Sequence, residues 1–155
     1  MDITVLFGTE TGNAEMLAED IAGALEAVHD VEVVNLSDFD PADFERGRFY
    51  LMVCSTYGDG ELPASAKPFA ERMEAGKPDL AGIHFAIFGM GDSEYEETFN
   101  FGPKTLAELM QAHGAAQVGE RVAHDASGPD MAEDLALPWA EEVVGLAGQT
   151  LGQAA

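Results

Sequence analysis

The chain has 155 residues, 29 of them acidic and 7 basic, with a formal net charge of -22 and a hydrophobic fraction of 46%. That length is one domain's worth with ample material for a core, and no apolar run reaches the ~18 residues of a membrane span. The charge argues against nucleic acid and anionic membranes, and it favours either an electropositive protein partner or a generally solubilising surface.

In chain order, Ile3–Phe7 reads as a strand. Asn13–Val28 comes next, with apolar residues at Ala14, Leu17, Ala18, Ile21, Leu25 and Val28, which is helical spacing. Val31–Leu36 is a second strand. The acidic stretch 37–48, broken by Pro41, reads as a loop with a short helix. Phe49–Cys54 is a continuous apolar run, the mark of a strand buried on both faces. Pro63 is placed to open a helix carrying Ala66, Phe69, Ala70 and Met73 on one face. Ile83–Phe88 is another buried strand. Pro103 opens a helix with Leu106, Leu109 and Met110, and Gly114 is its expected stop. Gln117–Ala123 is a weaker strand. Met131–Leu146 is the last helix, kinked or started by Pro138, with Trp139 in the core. Residues 1–147 thus form one domain, and 148–155 read as a short frayed tail. The start enters a strand without an export signal, and the lone Cys54 fits a reducing cytoplasm, where it reads as a small buried hydrophobe.

Strands alternating with helices predict an α/β fold with a parallel sheet covered on both faces. Ligands of such sheets bind beyond the carboxyl ends of the strands, at the topological switch point. The loops that leave the strand ends therefore carry the chemical content of the chain. After the first strand comes Gly8-Thr9-Glu10-Thr11-Gly12-Asn13-Ala14. Free N–H groups at a helix start, two threonine hydroxyls and a close-approach glycine suit a phosphate. The loop lacks the Gly-Lys-Ser/Thr of triphosphate loops and the three spaced glycines of dinucleotide loops. It suits a monophosphate ester held by neutral donors. Alone, it also reads as a hydroxyl-rich turn with Thr11 capping the helix.

After the third strand comes Ser55-Thr56-Tyr57-Gly58-Asp59-Gly60. After the fourth comes Gly89-Met90-Gly91-Asp92, with Tyr95, Phe99 and Asn100 beyond it. After the fifth comes His124-Asp125-Ala126-Ser127-Gly128. Each loop alone is a Gly–Asp turn, two of them with a tyrosine. Together at one sheet edge they describe two aromatics that sandwich a planar ring, with a phosphate held beside them.

The loops Gly8–Ala14, Ser55–Gly60 and Gly89–Tyr95, in this order and spacing, resemble the three motifs of the flavodoxin family, and the resemblance runs over residues 1–147. The resemblance is strongest to the short-chain form and to the FMN domains of diflavin reductases, since Thr56-Tyr57-Gly58 stands where many flavodoxins place a tryptophan. It implies a five-stranded doubly wound sheet of order 2-1-3-4-5 and FMN as cofactor. Thr9, Glu10, Thr11, Gly12, Asn13 and Ala14 would hold the phosphate. Ser55, Thr56, Tyr57, Gly58, Asp59 and Gly60 would form the first ring loop. Gly89, Met90, Gly91, Asp92 and Tyr95 would form the second, with Phe99 and Asn100 next along the chain and Asp125 near the flavin. Tyr57 and Tyr95 would stack on the ring, and the Gly58 peptide would bond flavin N5 when that atom is protonated. Three residues separate Tyr95 from Phe99, where family members often have two, and Asn100 replaces a frequent cysteine.

The resemblance further implies an electron carrier working between a basic NADPH–flavin reductase and an acceptor enzyme, as a cytoplasmic monomer with no reductase domain of its own. Glu61, Asp92, Glu94, Glu96 and Glu97 flank the ring loops and would steer that partner. Carboxylates around a reduced ring predict a low second reduction potential. A receiver domain on this scaffold needs an aspartate ending the third strand, where Ser55-Thr56 stands. The remaining alternative is an FMN-dependent NAD(P)H:quinone-type oxidoreductase, which the short loops disfavour.

Overall fold

The computed structural model describes residues 2–9, 12–55, 62–91, 101–119, 122–125 and 131–154. The strands are β1 (Asp2–Gly8), β2 (Asp30–Asn35), β3 (Phe49–Ser55), β4 (His84–Gly91), β5 (Ala116–Gln117) and β6 (Val122–Asp125). The helices are α1 (Asn13–Leu25), α2 (Lys67–Gly76), α3 (Phe101–Ala112) and α4 (Ala132–Ala154). Every described pairing is parallel, in the order β2-β1-β3-β4, with β5 and β6 both against β4. The expected sheet of order 2-1-3-4-5 is present, and its fifth position is split.

The split corrects the single weak strand expected over Gln117–Ala123. β4 advances from Phe85 to Phe88 while the edge chain advances from Gln117 to Val122, so two extra residues must leave the ladder between them. An edge position tolerates such a bulge because only one of its sides is paired.

Side-chain alternation sorts the core into two layers. Ile3, Val5 and Phe7, then Phe49, Leu51 and Val53, then Ala86 and Phe88 face α1 and α4. Leu6, then Tyr50, Met52 and Cys54, then Phe85 and Ile87 face α2 and α3. A strand whose two parities are both covered has no reason to alternate apolar with polar, which explains the unbroken run Phe49–Cys54. Trp139 lies in the first layer, its ring centroid 5.5 Å from that of Phe88.

Element boundaries moved where local chemistry competed with periodicity. α1 ends at Leu25; Val28 belongs to the turn beyond it and is 80% exposed. β2 stops at Asn35, and Leu36 opens a 3-10 turn whose cap is the Asn35 side chain, accepting from the Ser37 N–H at 3.0 Å. A second such turn covers Pro41–Asp43, capped by Asp40 through the Ala42 N–H at 2.9 Å. Pro63 does not open a helix. Its carbonyl accepts the Ala66 N–H in a tight turn, and α2 begins at Lys67 with Pro68 in its first turn. α3 already includes Phe101 and Gly102 ahead of Pro103. Gly114 does stop it, at φ 103°, with the Ala115 N–H reaching back to the Met110 carbonyl. α4 starts at Ala132, so Pro138 is interior to it, and the helix continues through Gly148 to Ala154.

Candidate functional site

The carboxyl ends of the strands align in a row. Gly8 pairs with Cys54, Cys54 with Gly89, and Gly89 with Ala123. β1 leads through α1 to β2 on one side of it, and β3 leads through α2 to β4 on the other, so the switch point of the sheet lies between β1 and β3. Gly8 and Ser55 end the two strands that flank it, and the Ser55 hydroxyl sits 3.4 Å from the Gly8 carbonyl oxygen.

The first loop is built for close approach. A Cβ added to Gly8 would lie 3.0 Å from Ala66 Cβ, 3.2 Å from Leu36 Cδ1 and 3.4 Å from Cys54 Sγ, all on fully buried residues. Only a residue without a side chain lets the turn before α2 close on β1. Thr9 then turns inward: its Oγ1 accepts the Gly12 N–H at 2.8 Å. Gly12 adopts φ 99° and ψ -4°, the left-handed region that side chains resist, and supplies the carbonyl for the first helical bond, from the Met16 N–H at 3.1 Å. The cap residue of α1 is therefore Gly12, with no side-chain capping bond. The N–H groups of Asn13, Ala14 and Glu15 precede that first helical bond and are the orphan donors of the helix end. Among the described residues, a Cβ on Gly12 would meet nothing within 4 Å. Neutral donors at a positive helix end suit the expected phosphate.

The other expected residues divide between two environments and the undescribed segments. Asn13 is exposed on the first turn, while Ala14 is fully buried, leaving only its backbone to face a ligand. Met90 packs, partly buried, against the core layer of α1 and α4. Gly89 and Gly91 end β4, and Asp125 pairs with Gly91 at the end of β6. Cys54 is buried, and that burial pushes its thiol up, away from the reactive thiolate. Glu10, Thr11, Thr56, Tyr57, Gly58, Asp59, Gly60, Glu61, Asp92, Glu94, Tyr95, Glu96, Glu97, Phe99 and Asn100 lie outside the described residues.

One residue of the neighbourhood escaped the sequence reading. The Ser65 hydroxyl accepts the Thr9 N–H at 2.7 Å, and the Ser65 N–H donates to the Thr9 carbonyl at 3.2 Å. A serine in a Pro-Ala-Ser-Ala stretch before a helix signals only a local turn or cap; its partner, 56 positions earlier, leaves no mark in the sequence.

A parallel sheet of order 2-1-3-4-5 with helices on both faces defines a doubly wound α/β protein. Residues 5–139 match the flavodoxin family, and the chain belongs to that family. Its members bind FMN and transfer electrons, and this chain is a flavodoxin-like electron-transfer protein. It is 34% identical to the Protein MioC of Escherichia coli O157:H7 over 139 residues, 89% of this chain and 92% of that one. It is 32% identical to NADPH-dependent diflavin oxidoreductase 1 of Cryptococcus neoformans over 146 residues, 92% of this chain but about a quarter (24%) of that relative's length. A solved flavodoxin variant from Pseudomonas aeruginosa superposes with a TM-score of 0.83 at 30% identity, covering 96% of this chain and 100% of its own. Among the described residues no helix is long and apolar enough to cross a membrane.

Proposed function

We propose that the chain carries electrons from an NADPH–flavin reductase to an acceptor enzyme, and that Gly8–Ala14 grips the phosphate of its FMN. The observation that carries this reading is the start of α1: Gly12 in a left-handed conformation ahead of the N–H groups of Asn13 to Glu15, which have no partner within the helix. When bound, FMN supplies the redox chemistry. The chain's own part is to fix the phosphate, order the loops after β3 and β4 around the ring, and present an exposed edge. In this reading Tyr57 and Tyr95 stack on the ring and the Gly58 peptide answers to N5.

The net charge of -22 supports an electropositive donor. Electron transfer from a basic reductase should slow steeply as salt rises, because screening shortens the reach of surface charge to ~8 Å near physiological ionic strength. A salt-independent rate would make the charge merely solubilising. The purified chain should be yellow, release FMN on denaturation, run as a monomer, and oxidise almost no NADPH alone. Rapid NADPH oxidation without a reductase would instead favour a flavin-dependent reductase. A reducing cytoplasm accords with the lone buried Cys54.

A further inference from the structure

The Thr9–Ser65 pair does something the phosphate loop's own residues do not. Among the described residues the β1–β3 register ends at Gly8 with Cys54, one residue before Thr9. Its backbone N–H and carbonyl are instead both taken by one residue, Ser65, at 2.7 and 3.2 Å. The same Thr9 holds the Gly12 N–H through its hydroxyl at 2.8 Å. Ser65 itself is fixed by the turn in which Ala66 N–H bonds the Pro63 carbonyl at 2.9 Å, and by the close approach of Ala66 to Gly8. The chain of contacts thus runs from the turn before α2, through Thr9, to the residue that sets the first N–H groups of α1.

We infer that Ser65 is a positioning residue for the phosphate end of FMN: it pins Thr9, and through Thr9 it aims Gly12 and the orphan N–H groups of α1. The inference rests on Gly8–Ala14 being the phosphate loop. Ser65 stands four positions after Glu61, on the chain that leaves the first ring loop, so the pin also joins the segment expected to hold the ring to the segment expected to hold the phosphate. Removing the hydroxyl leaves the Thr9 N–H without its partner and frees the loop to rotate away from the ligand. Because Ser65 acts on the phosphate end, the loss should fall on FMN and spare riboflavin, which has the same ring and no phosphate.

The test is a fluorescence titration of the full-length apoprotein with FMN and with riboflavin, for the parent, Ser65→Ala and Ser65→Thr. The parent should prefer FMN strongly. Ser65→Ala should lose about tenfold in FMN affinity with riboflavin affinity held within about twofold, and Ser65→Thr, which keeps the hydroxyl acceptor, should recover most of the preference. If Ser65→Ala fails to fold, Ser65→Cys keeps the size with a weak acceptor and must show the same selective loss. Equal losses for both flavins, or an undiminished FMN preference in the variant, overturn the positioning role while leaving the phosphate loop standing. A parent with no preference for FMN overturns the phosphate-loop reading itself, and the pin with it.

Discussion

At the amino-terminal edge of the sheet, Arg48 lies 3.9 Å from Glu32 and 3.7 Å from Glu45 and gives a hydrogen bond to Thr4 Oγ1 at 3.1 Å. Nearby, the Glu45 N–H donates to the Tyr50 hydroxyl at 2.7 Å, and Phe39, Phe44, Tyr50 and Phe69 meet edge to face or tilted. At the carboxyl edge the decisive contacts are of another kind: Gly8 under Ala66, Thr9 against Ser65, Thr9 Oγ1 under the Gly12 N–H. One end is held by long side chains with partly exposed tips, which can adjust to change. The other is held by backbone in close approach and by short hydroxyl side chains bonded to it, which have little room to adjust. A site made of oriented N–H groups needs the second kind of support, because a peptide group has no rotamers with which to correct a misplaced loop.

The contrast predicts that the smallest residues carry the largest effects. Gly8→Val should destabilise the protein most, by about 3 kcal/mol, since the added carbons meet fully buried Ala66, Leu36 and Cys54. Urea denaturation reads this directly, and a loss near zero would show that the turn before α2 can retreat, breaking the contrast at its root. Gly12→Ala should cost less, about 1–2 kcal/mol, because no described residue lies within 4 Å of the new Cβ and the backbone conformation at φ 99° is what opposes it. Its effect on FMN affinity should exceed its effect on stability. A variant that binds FMN normally would mean that the helix start does not aim the donors.

This division also governs what could be read in the sequence. The fold was legible because strands buried on both faces announce themselves: Phe49–Cys54 has no polar interruption, and a glycine-bearing loop comes after each such run. The tight loop after β1 was legible through Gly8, Thr9 and Gly12, residue types demanded by close approach and by left-handed backbone. Ser65 was not, because its partner is set by how two loops meet across the sheet. The same physics blurred the ends of elements. Periodicity carries α1 to Val28, yet the last apolar residue of the pattern lies in a turn, exposed. Pro63 reads as a helix opener, yet the Ala66 N–H closes a turn on its carbonyl and the helix begins only at Lys67. The split fifth strand arises from two surplus residues, which spacing alone does not reveal in a short weak pattern.

The opposite edge supplies the milder changes. Burial pushes the Tyr50 phenol above its ordinary range, against the smaller opposing pull of the Glu45 N–H. A raised folded-state value means the protonated form is favoured in the native protein, so the contribution is complete below the unfolded value of about 10 and fades as pH climbs through the folded one. Tyr50→Phe should cost about 1 kcal/mol at neutral pH through the lost acceptor, and should resist alkaline unfolding better than the parent. Alkaline midpoints that coincide would show that Tyr50 ionises without penalty.

The smallest effect should come from Arg48→Ala. Its two carboxylate partners are 59% and 70% exposed, and pairs of that kind contribute under about 1 kcal/mol and fade with salt. Thr4 keeps its own bond to Glu32 at 3.1 Å, so no buried hydroxyl is stranded. Denaturation at low and high salt should show a slight loss that shrinks as salt rises, with FMN affinity unchanged. A loss for Arg48→Ala as large as that for Gly8→Val would reverse the ranking and place the rigid end of the molecule at the ion network, away from the loop after β1.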